Sequence, residues 1–182
     1  MATPPTFTTG QTLGSNHMNL IGMWLIKTQA IGSGVSTVSV TDIFSADYDN
    51  YLIQISNTVV SANQPNLGLR MSTVSSGYSY AGFYNSYSSS TVTGDVTTVG
   101  TYFNIGACGN GTASAGRISM DVYVRSPNLA AATFFSASNP SLAWNSVYNG
   151  HLNNTTQYTS CTILPSSGTL TGGNIRVYGI RD

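Results

Sequence analysis

Aromatic side chains are the residues of this chain best placed to do recognition chemistry, and five of them lie within ten residues among Ser, Gly and Asn. Tyrosine offers a large, rigid, amphipathic contact surface, and small polar neighbours supply adaptable hydrogen bonds. Such surfaces bind sugars well. Aromatic residues also line subunit interfaces and cap sheet edges, and this second interpretation is the favoured one. The candidate residues for either a receptor site or an interface are Tyr78, Tyr80, Phe83, Tyr84, Tyr87, Trp144 and Tyr148.

Carboxylates are the second group that could do chemistry, because glycan hydrolysis uses two of them about 5–10 Å apart. The chain has no glutamate, so the candidates are its six aspartates: Asp42, Asp47, Asp49, Asp95, Asp121 and Asp182. Asp47 and Asp49 are close in sequence, but they precede Asn50 and a strand pattern, where Asp and Asn ordinarily form turns. A calcium loop would need more oxygen ligands at regular spacing. The sequence therefore predicts turn structure here.

Nucleophilic and metal chemistry also lack their usual patterns. No G-x-S-x-G elbow occurs, His17 lies in the N-terminal segment, and His151 follows Asn149-Gly150, a hairpin signal that predicts a surface position. Cys108 and Cys161 lie too far apart in sequence, and too far from the two histidines, to match the ligand spacing of a zinc site. We expect two free, buried thiols, with a disulfide as the alternative. The prediction is a protein with no catalytic residue, metal or cofactor that acts by binding.

The charge balance narrows the possible partners. Six basic and six acidic residues in 182 give a formal net charge of zero, whereas average usage would give roughly 45 charged residues. A neutral surface has no long-range repulsion between copies, so self-association is expected. The five arginines form no basic stripe, which argues against nucleic acid and anionic membranes. No apolar run reaches the roughly 18 residues of a membrane span, and the N-terminus lacks the regions of a secretion signal.

The apolar pattern has period two, which is typical of half-buried strands. It is clearest over 117–125, where Ile118, Met120, Val122 and Val124 alternate with polar or charged residues and Tyr123. Many short strands separated by turn residues indicate an all-β fold, and we predict a two-sheet antiparallel β-sandwich of jelly-roll type with a short N-terminal arm. Its first and last strands are expected to meet, with 51–56 and 174–180 central. The predicted strands are 23–30, 36–41, 51–56, 67–72, 78–87, 99–106, 117–125, 132–137, 144–151, 158–164 and 174–180.

Residues 1–22 differ from the rest and form the first of two predicted units, the second being the sandwich of 23–182. The segment contains Pro4-Pro5 and has too few apolar residues to make a core alone, so it must dock on something else or remain a disordered terminus. We expect an ordered anchoring arm. Its assembly anchor would be Phe7, Leu13, Met18, Leu20 and Ile21.

This segment also carries a resemblance. Residues 7–13, Phe-Thr-Thr-Gly-Gln-Thr-Leu, followed by Met18-Asn19, resemble the leader F-T-x-G-Q-x-L-x₄-M-N of many virion structural proteins of tailed bacteriophages, including tail fibres and minor virion proteins. The stretches 22–36, 44–51, 152–159 and 168–179 are similar to a β-rich domain of the same proteins. Together these stretches cover about half the chain, and 61–150 matches nothing.

The resemblance implies a virion component on the particle exterior, synthesised in the host cytoplasm, often trimeric, held by its N-terminus and displaying a β-domain. A tail fibre or receptor-binding role is the first hypothesis. The implied partners are copies of itself, other virion proteins and a host cell-surface glycan, with any receptor site in 61–150. A capsid decoration or cement protein is the alternative within this class. A carbohydrate-binding module or lectin, or a glycan hydrolase, is the alternative outside it.

Overall fold

The computed structural model describes residues 8–10, 12, 22–108, 117–141 and 143–180. The five predicted anchor residues of the arm lie outside these described residues. Within them the chain is entirely β, and no helix has the length and apolar character needed to cross a membrane. The strands are β1 (Met23–Ala30), β2 (Val38–Val40), β3 (Asn50–Val60), β4 (Asn66–Met71), β5 (Tyr78–Ser86), β6 (Thr93–Gly100), β7 (Phe103–Ala107), β8 (Ile118–Arg125), β9 (Thr133–Pro140), β10 (Trp144–Leu152), β11 (Cys161–Pro165), β12 (Leu170–Thr171) and β13 (Asn174–Ile180).

The strands form two antiparallel sheets, which confirms the predicted all-β sandwich. The larger sheet has the order β1-β13-β3-β8-β9-β10-β5-β6, with the short β12 also paired to β3, and the smaller has the order β2-β11-β4-β7. The first and last strands are neighbours, as predicted, and Met23 pairs with Ile180. The predicted central strand at 51–56 belongs to β3, which has partners on both sides. One edge of the larger sheet is β6 and one edge of the smaller is β7.

The core lies between the two sheets and follows from the period-two pattern. Along β8, Ile118, Met120, Val122 and Val124 are buried while the residues between them are exposed, as predicted. Residues of the smaller sheet such as Leu69 meet them from the opposite side within one hydrophobic cluster. Each fully buried side chain of this kind contributes roughly 1.5–3 kcal/mol relative to exposure.

Three predictions about local structure are wrong. The predicted strand at 99–106 is two strands, because it joins the end of β6 to most of β7 across the intervening residues 101–102. Most of β6 was missed, since its Thr-, Val- and Gly-rich sequence is largely exposed and shows no clear alternation of large apolar residues. Asn149-Gly150 lies inside β10 and is not a hairpin. A Cβ on Gly150 would lie 2.8 Å from Tyr80 Cβ and 2.9 Å from Phe103 Cε2, so this glycine serves close packing.

Both cysteines are buried and free, as predicted. Burial raises the pKa of the Cys108 thiol and of the Cys161 thiol to about 12. The two thiols therefore pack as small neutral hydrophobic groups at physiological pH.

Candidate functional site

The aromatic segment forms β5, and alternation along this strand divides its residues between two faces. Tyr78, Tyr80 and Tyr84 point towards the inside of the sandwich, and Phe83 points to the outer face. The sequence analysis placed these residues on one surface. This prediction is wrong, because successive side chains of a strand point to opposite faces. Tyr87 follows the strand and is also exposed.

Tyr78 and Tyr148 are core residues and present no ring to a ligand. Tyr78 is 0% exposed, and its hydroxyl accepts a hydrogen bond from the Met71 amide (2.7 Å) and donates to the Val74 carbonyl oxygen (3.2 Å). These contacts join the larger sheet to the end of β4 in the smaller one. Tyr80 is half-buried and packs edge-to-face against Phe103 and Tyr148, with ring centroids 6.1 and 5.9 Å apart.

Tyr84 and Trp144 line a cleft at one end of the sandwich. Their rings meet at 64° with centroids 5.7 Å apart, and both are partly exposed. The cleft has a volume of about 410 Å³ and opens between β5, β6 and β10 of the larger sheet and the edge of the smaller. This volume falls within the roughly 300–1,000 Å³ of ligand sites. Its lining residues are Gln64, Asn66, Tyr84, Gly94, Asp95, Ala107 and Trp144.

Trp144 is positioned by Ser141, which closes the connection from β9 to β10. The Trp144 amide donates to Ser141 Oγ (3.0 Å), and the Ser141 amide donates to the Trp144 carbonyl oxygen (2.8 Å). Ser141 Oγ also donates to that carbonyl oxygen at 3.0 Å. Both the backbone amide and the backbone carbonyl of Trp144 are therefore hydrogen-bonded to Ser141, which fixes the backbone at the start of β10.

Asp95 is the charged group of the cleft, and a buried network holds it in place. Asn104, which is fully buried at the start of β7, donates from Nδ2 to Asp95 Oδ2 at 3.1 Å. The Tyr148 phenol lies near the same carboxylate, and burial, followed by the Asp95 charge, raises the pKa of Tyr148. Asp95 thus accepts a hydrogen bond from a residue that is itself buried.

Gly82 leaves room for the Tyr148 ring to pack against β5. It lies on β5 between the two residues, paired with Tyr148 on one side and Asp95 on the other. A Cβ on Gly82 would collide with the Tyr148 ring and with the Val147 carbonyl oxygen. Because this side chain is missing, the Tyr148 ring lies against β5, and its phenol is near enough to Asp95 for that charge to raise its pKa.

Buried polar atoms without a partner among the described residues surround the same end of the core. The indole Nε1 of Trp144 is one of them, and Ser146 Oγ and Asn139 Oδ1 are two more. Ser146 and Asn139 both lie against Gly106, which precedes the lining residue Ala107. A Cβ on Gly106 would lie 2.6 Å from Asn139 and 2.7 Å from Ser146 Oγ. Unpaired buried polar groups are rare and costly in native proteins. Trp144 Nε1 is thus a buried donor, in a residue that lines the cleft, with no partner among the described residues.

The other candidate groups lie away from the cleft. Asp121 is on the outer face of β8 and accepts a hydrogen bond from Gln54 Nε2 (3.0 Å). Asp47 accepts from Ser45 Oγ at 3.1 Å in the predicted turn. His151 lies on the outer face of β10 beside Phe134, with ring centroids 6.3 Å apart. Asp182 lies outside the described residues, and the described part contains no group of three His, Cys, Asp or Glu side chains able to hold a metal.

The sequence identified two of the cleft residues, Tyr84 and Trp144, and listed Asp95 only among the carboxylates. It missed Gln64 and Asn66, which approach the cleft from the loop before β4 and from the first residue of that strand. No local pattern joins these residues, because the order of strands in the sheets brings them together. The one available signal is that all the lining residues lie within 61–150, the stretch expected to hold any receptor site.

Comparison with known proteins identifies no family for this chain. No protein-family model matches the chain, and no curated protein sequence matches it. Among solved structures it is similar to CG-16, a homodimeric agglutinin from chicken liver, at 10% identity over 78% of this chain and 98% of that one, with a TM-score of 0.36. It is also similar to arcelin-5, a lectin-like defense protein from Phaseolus vulgaris, at 7% identity over 85% and 99%, with a TM-score of 0.20. Neither score is high enough to bear on fold or function.

Proposed function

We propose that this protein is a glycan-binding component of a bacteriophage virion, which uses the cleft at Tyr84 and Trp144 to recognise a saccharide on the host surface. One observation carries the proposal: two partly exposed aromatic rings and a fixed carboxylate share one cleft. The apolar faces of sugar rings pack on aromatic side chains, and their hydroxyls pair with polar groups that are already oriented. Sites of this kind are mostly apolar with a few placed polar groups.

The polar groups of the cleft match a saccharide. Asp95 accepts hydrogen bonds, while the amides of Gln64 and Asn66 provide both donors and acceptors. Asp95 is the one carboxylate among the described residues that line the cleft. Glycoside hydrolysis ordinarily takes two flanking carboxylates, so the proposed role is binding without cleavage.

The virion part of the proposal rests on the leader resemblance over residues 7–19. A receptor-binding or tail-fibre position is the first candidate because the cleft offers a site for a ligand. A capsid decoration role is the second, and a different feature supports it: the outer face of the larger sheet exposes Phe83, Val96 and Phe134 at 44%, 70% and 51%. Exposed apolar groups of this kind suit contact with other virion proteins or further copies of the chain.

A glycan array tests the binding proposal. The purified wild-type protein should bind a defined subset of glycans, and Tyr84→Ala should weaken that binding by one to two orders of magnitude, as removal of a hot-spot aromatic costs about 2 kcal/mol or more. Tyr123→Ala is the matched control, because Tyr123 is 43% exposed on the outer face of β8, away from the cleft. A blank array, or equal binding by Tyr84→Ala and wild type, would contradict the proposal.

A further inference from the structure

We propose that the cleft selects neutral saccharides over carboxylated ones such as uronic and sialic acids, with Asp95 as the residue that determines this specificity. The inference rests on the proposed glycan-binding function and adds the class of ligand. It follows from the charge of the cleft and from the way that charge is held. Asn104 acts as a positioning residue for Asp95.

The charge of the cleft is negative and has no counterion on the lining. Asp95 is the one ionisable acid or base among the described lining residues apart from the phenol of Tyr84. Arg70 lies near Tyr102, as Asp95 does, but it is not a lining residue and its Nε donates to the Thr101 carbonyl oxygen at 2.8 Å. A ligand carboxylate placed against this wall meets a like charge at short range, and the partly enclosed site screens that repulsion less than bulk water does.

The carboxylate cannot easily turn away from such a ligand. The hydrogen bond from Asn104 Nδ2 to Asp95 Oδ2 (3.1 Å) holds it, and this donor residue is fully buried. An ionised carboxylate has about four acceptor positions, so this bond leaves roughly three for ligand hydroxyls. A neutral sugar can fill them as a donor, whereas a carboxylate ligand has no proton to give at neutral pH.

The aromatic part of the cleft does not discriminate between the two classes. Tyr84 and Trp144 offer the same ring surface to galactose and to galacturonate. The difference in affinity between a neutral sugar and its acid counterpart therefore reports on Asp95. A variant without the charge but with the same shape should lose the difference.

The experiment is titration calorimetry with matched probes: D-galactose and D-galacturonate, D-glucose and D-glucuronate, and lactose and 3′-sialyllactose. Wild type should bind the neutral member of a bound pair at least about ten-fold more tightly, equivalent to ~1.4 kcal/mol. Asp95→Asn should reduce the ratio to about three-fold or less by gaining affinity for the acid. Asp121→Asn, on the outer face of β8, is the matched control and should keep the wild-type ratio.

Two measurements separate the possible failures. Wild-type discrimination should shrink between about 0.01 M and about 1 M salt, since the Debye length falls from roughly 30 to 3 Å, and this result does not depend on the folding of any variant. Galacturonate binding as tightly as galactose, or a ratio unchanged in a folded Asp95→Asn protein, would overturn the selectivity while leaving glycan binding intact. Failure to bind every saccharide of both the panel and the array would overturn the proposed function as well.

Discussion

The substitution Tyr78→Phe, which removes one hydroxyl oxygen, tests whether Tyr78 has a structural role while Tyr84 has a binding role. The Tyr78 hydroxyl is the partner of the buried Met71 amide at 2.7 Å and also bonds the Val74 carbonyl oxygen. Phenylalanine keeps the ring packing but leaves that amide unsatisfied, which costs about 1–3 kcal/mol. For a domain of this size each kcal/mol lowers the melting temperature by roughly 2–4 °C. The expected loss is therefore roughly 2–12 °C.

Thermal unfolding followed by circular dichroism measures this effect, with glycan affinity as the second readout. Tyr78 is six residues from Tyr84 along β5, roughly 20 Å at the rise of a strand, so affinity should be unchanged. Tyr123→Phe, which alters an exposed tyrosine of β8, should change the free energy of unfolding by less than about 0.5 kcal/mol. Equal melting temperatures for the two variants, or loss of glycan affinity in Tyr78→Phe, would refute the division of this segment.

Further perturbations test other parts of the account. Gly82→Ala should lower the free energy of unfolding by about 1–3 kcal/mol through overpacking, and it should also weaken glycan binding by displacing the Tyr148 ring. Gly94→Ala has nothing within 4 Å of the added Cβ and should leave the melting temperature unchanged. A larger loss in Gly94→Ala than in Gly82→Ala would contradict the packing argument. Burial raises the pKa of both thiols, so their contribution to the free energy of unfolding is fully present below the ordinary thiol pKa of about 9. This contribution should fall as the pH rises towards 12, by at most ~1.4 kcal/mol per pH unit for each thiol. Cys108→Ala should make that decline shallower in denaturant titrations, and an identical pH slope would count against it. Deleting residues 1–22 should leave the sandwich folded but abolish incorporation into virions, and normal incorporation would exclude an anchoring arm. Light scattering should show an oligomer, most simply a trimer, and a monomer of 19.1 kDa would contradict self-association.

The sequence predicted the fold well because period-two burial is a local signal. β8 is the clearest example, since four alternating apolar residues specify both a strand and its buried face. Gly150 shows the limit of the same approach: Asn-Gly is a strong hairpin signal in isolation, but close contact with Tyr80 on the paired strand and with Phe103 of the opposite sheet requires a glycine there. Tertiary packing overrode the local preference.

The site was only partly predictable, for a related reason. Composition identified the aromatic segment, and alternation could have assigned Phe83 to a different face from Tyr84. Asp95 needed knowledge that β6 pairs with β5 and that Tyr148 crosses above Gly82. These contacts join residues far apart in sequence, and a single sequence does not encode strand order in a readable form.

The central claim, a neutral-glycan site at Tyr84, Trp144 and Asp95, is tested most directly by a crystal structure with the tightest-binding neutral saccharide from the array. The account predicts a sugar ring packed on the Trp144 and Tyr84 side chains, with a hydroxyl oxygen within about 3.0 Å of an Asp95 carboxylate oxygen. A saccharide bound elsewhere, with the cleft empty in the same crystal, would contradict it.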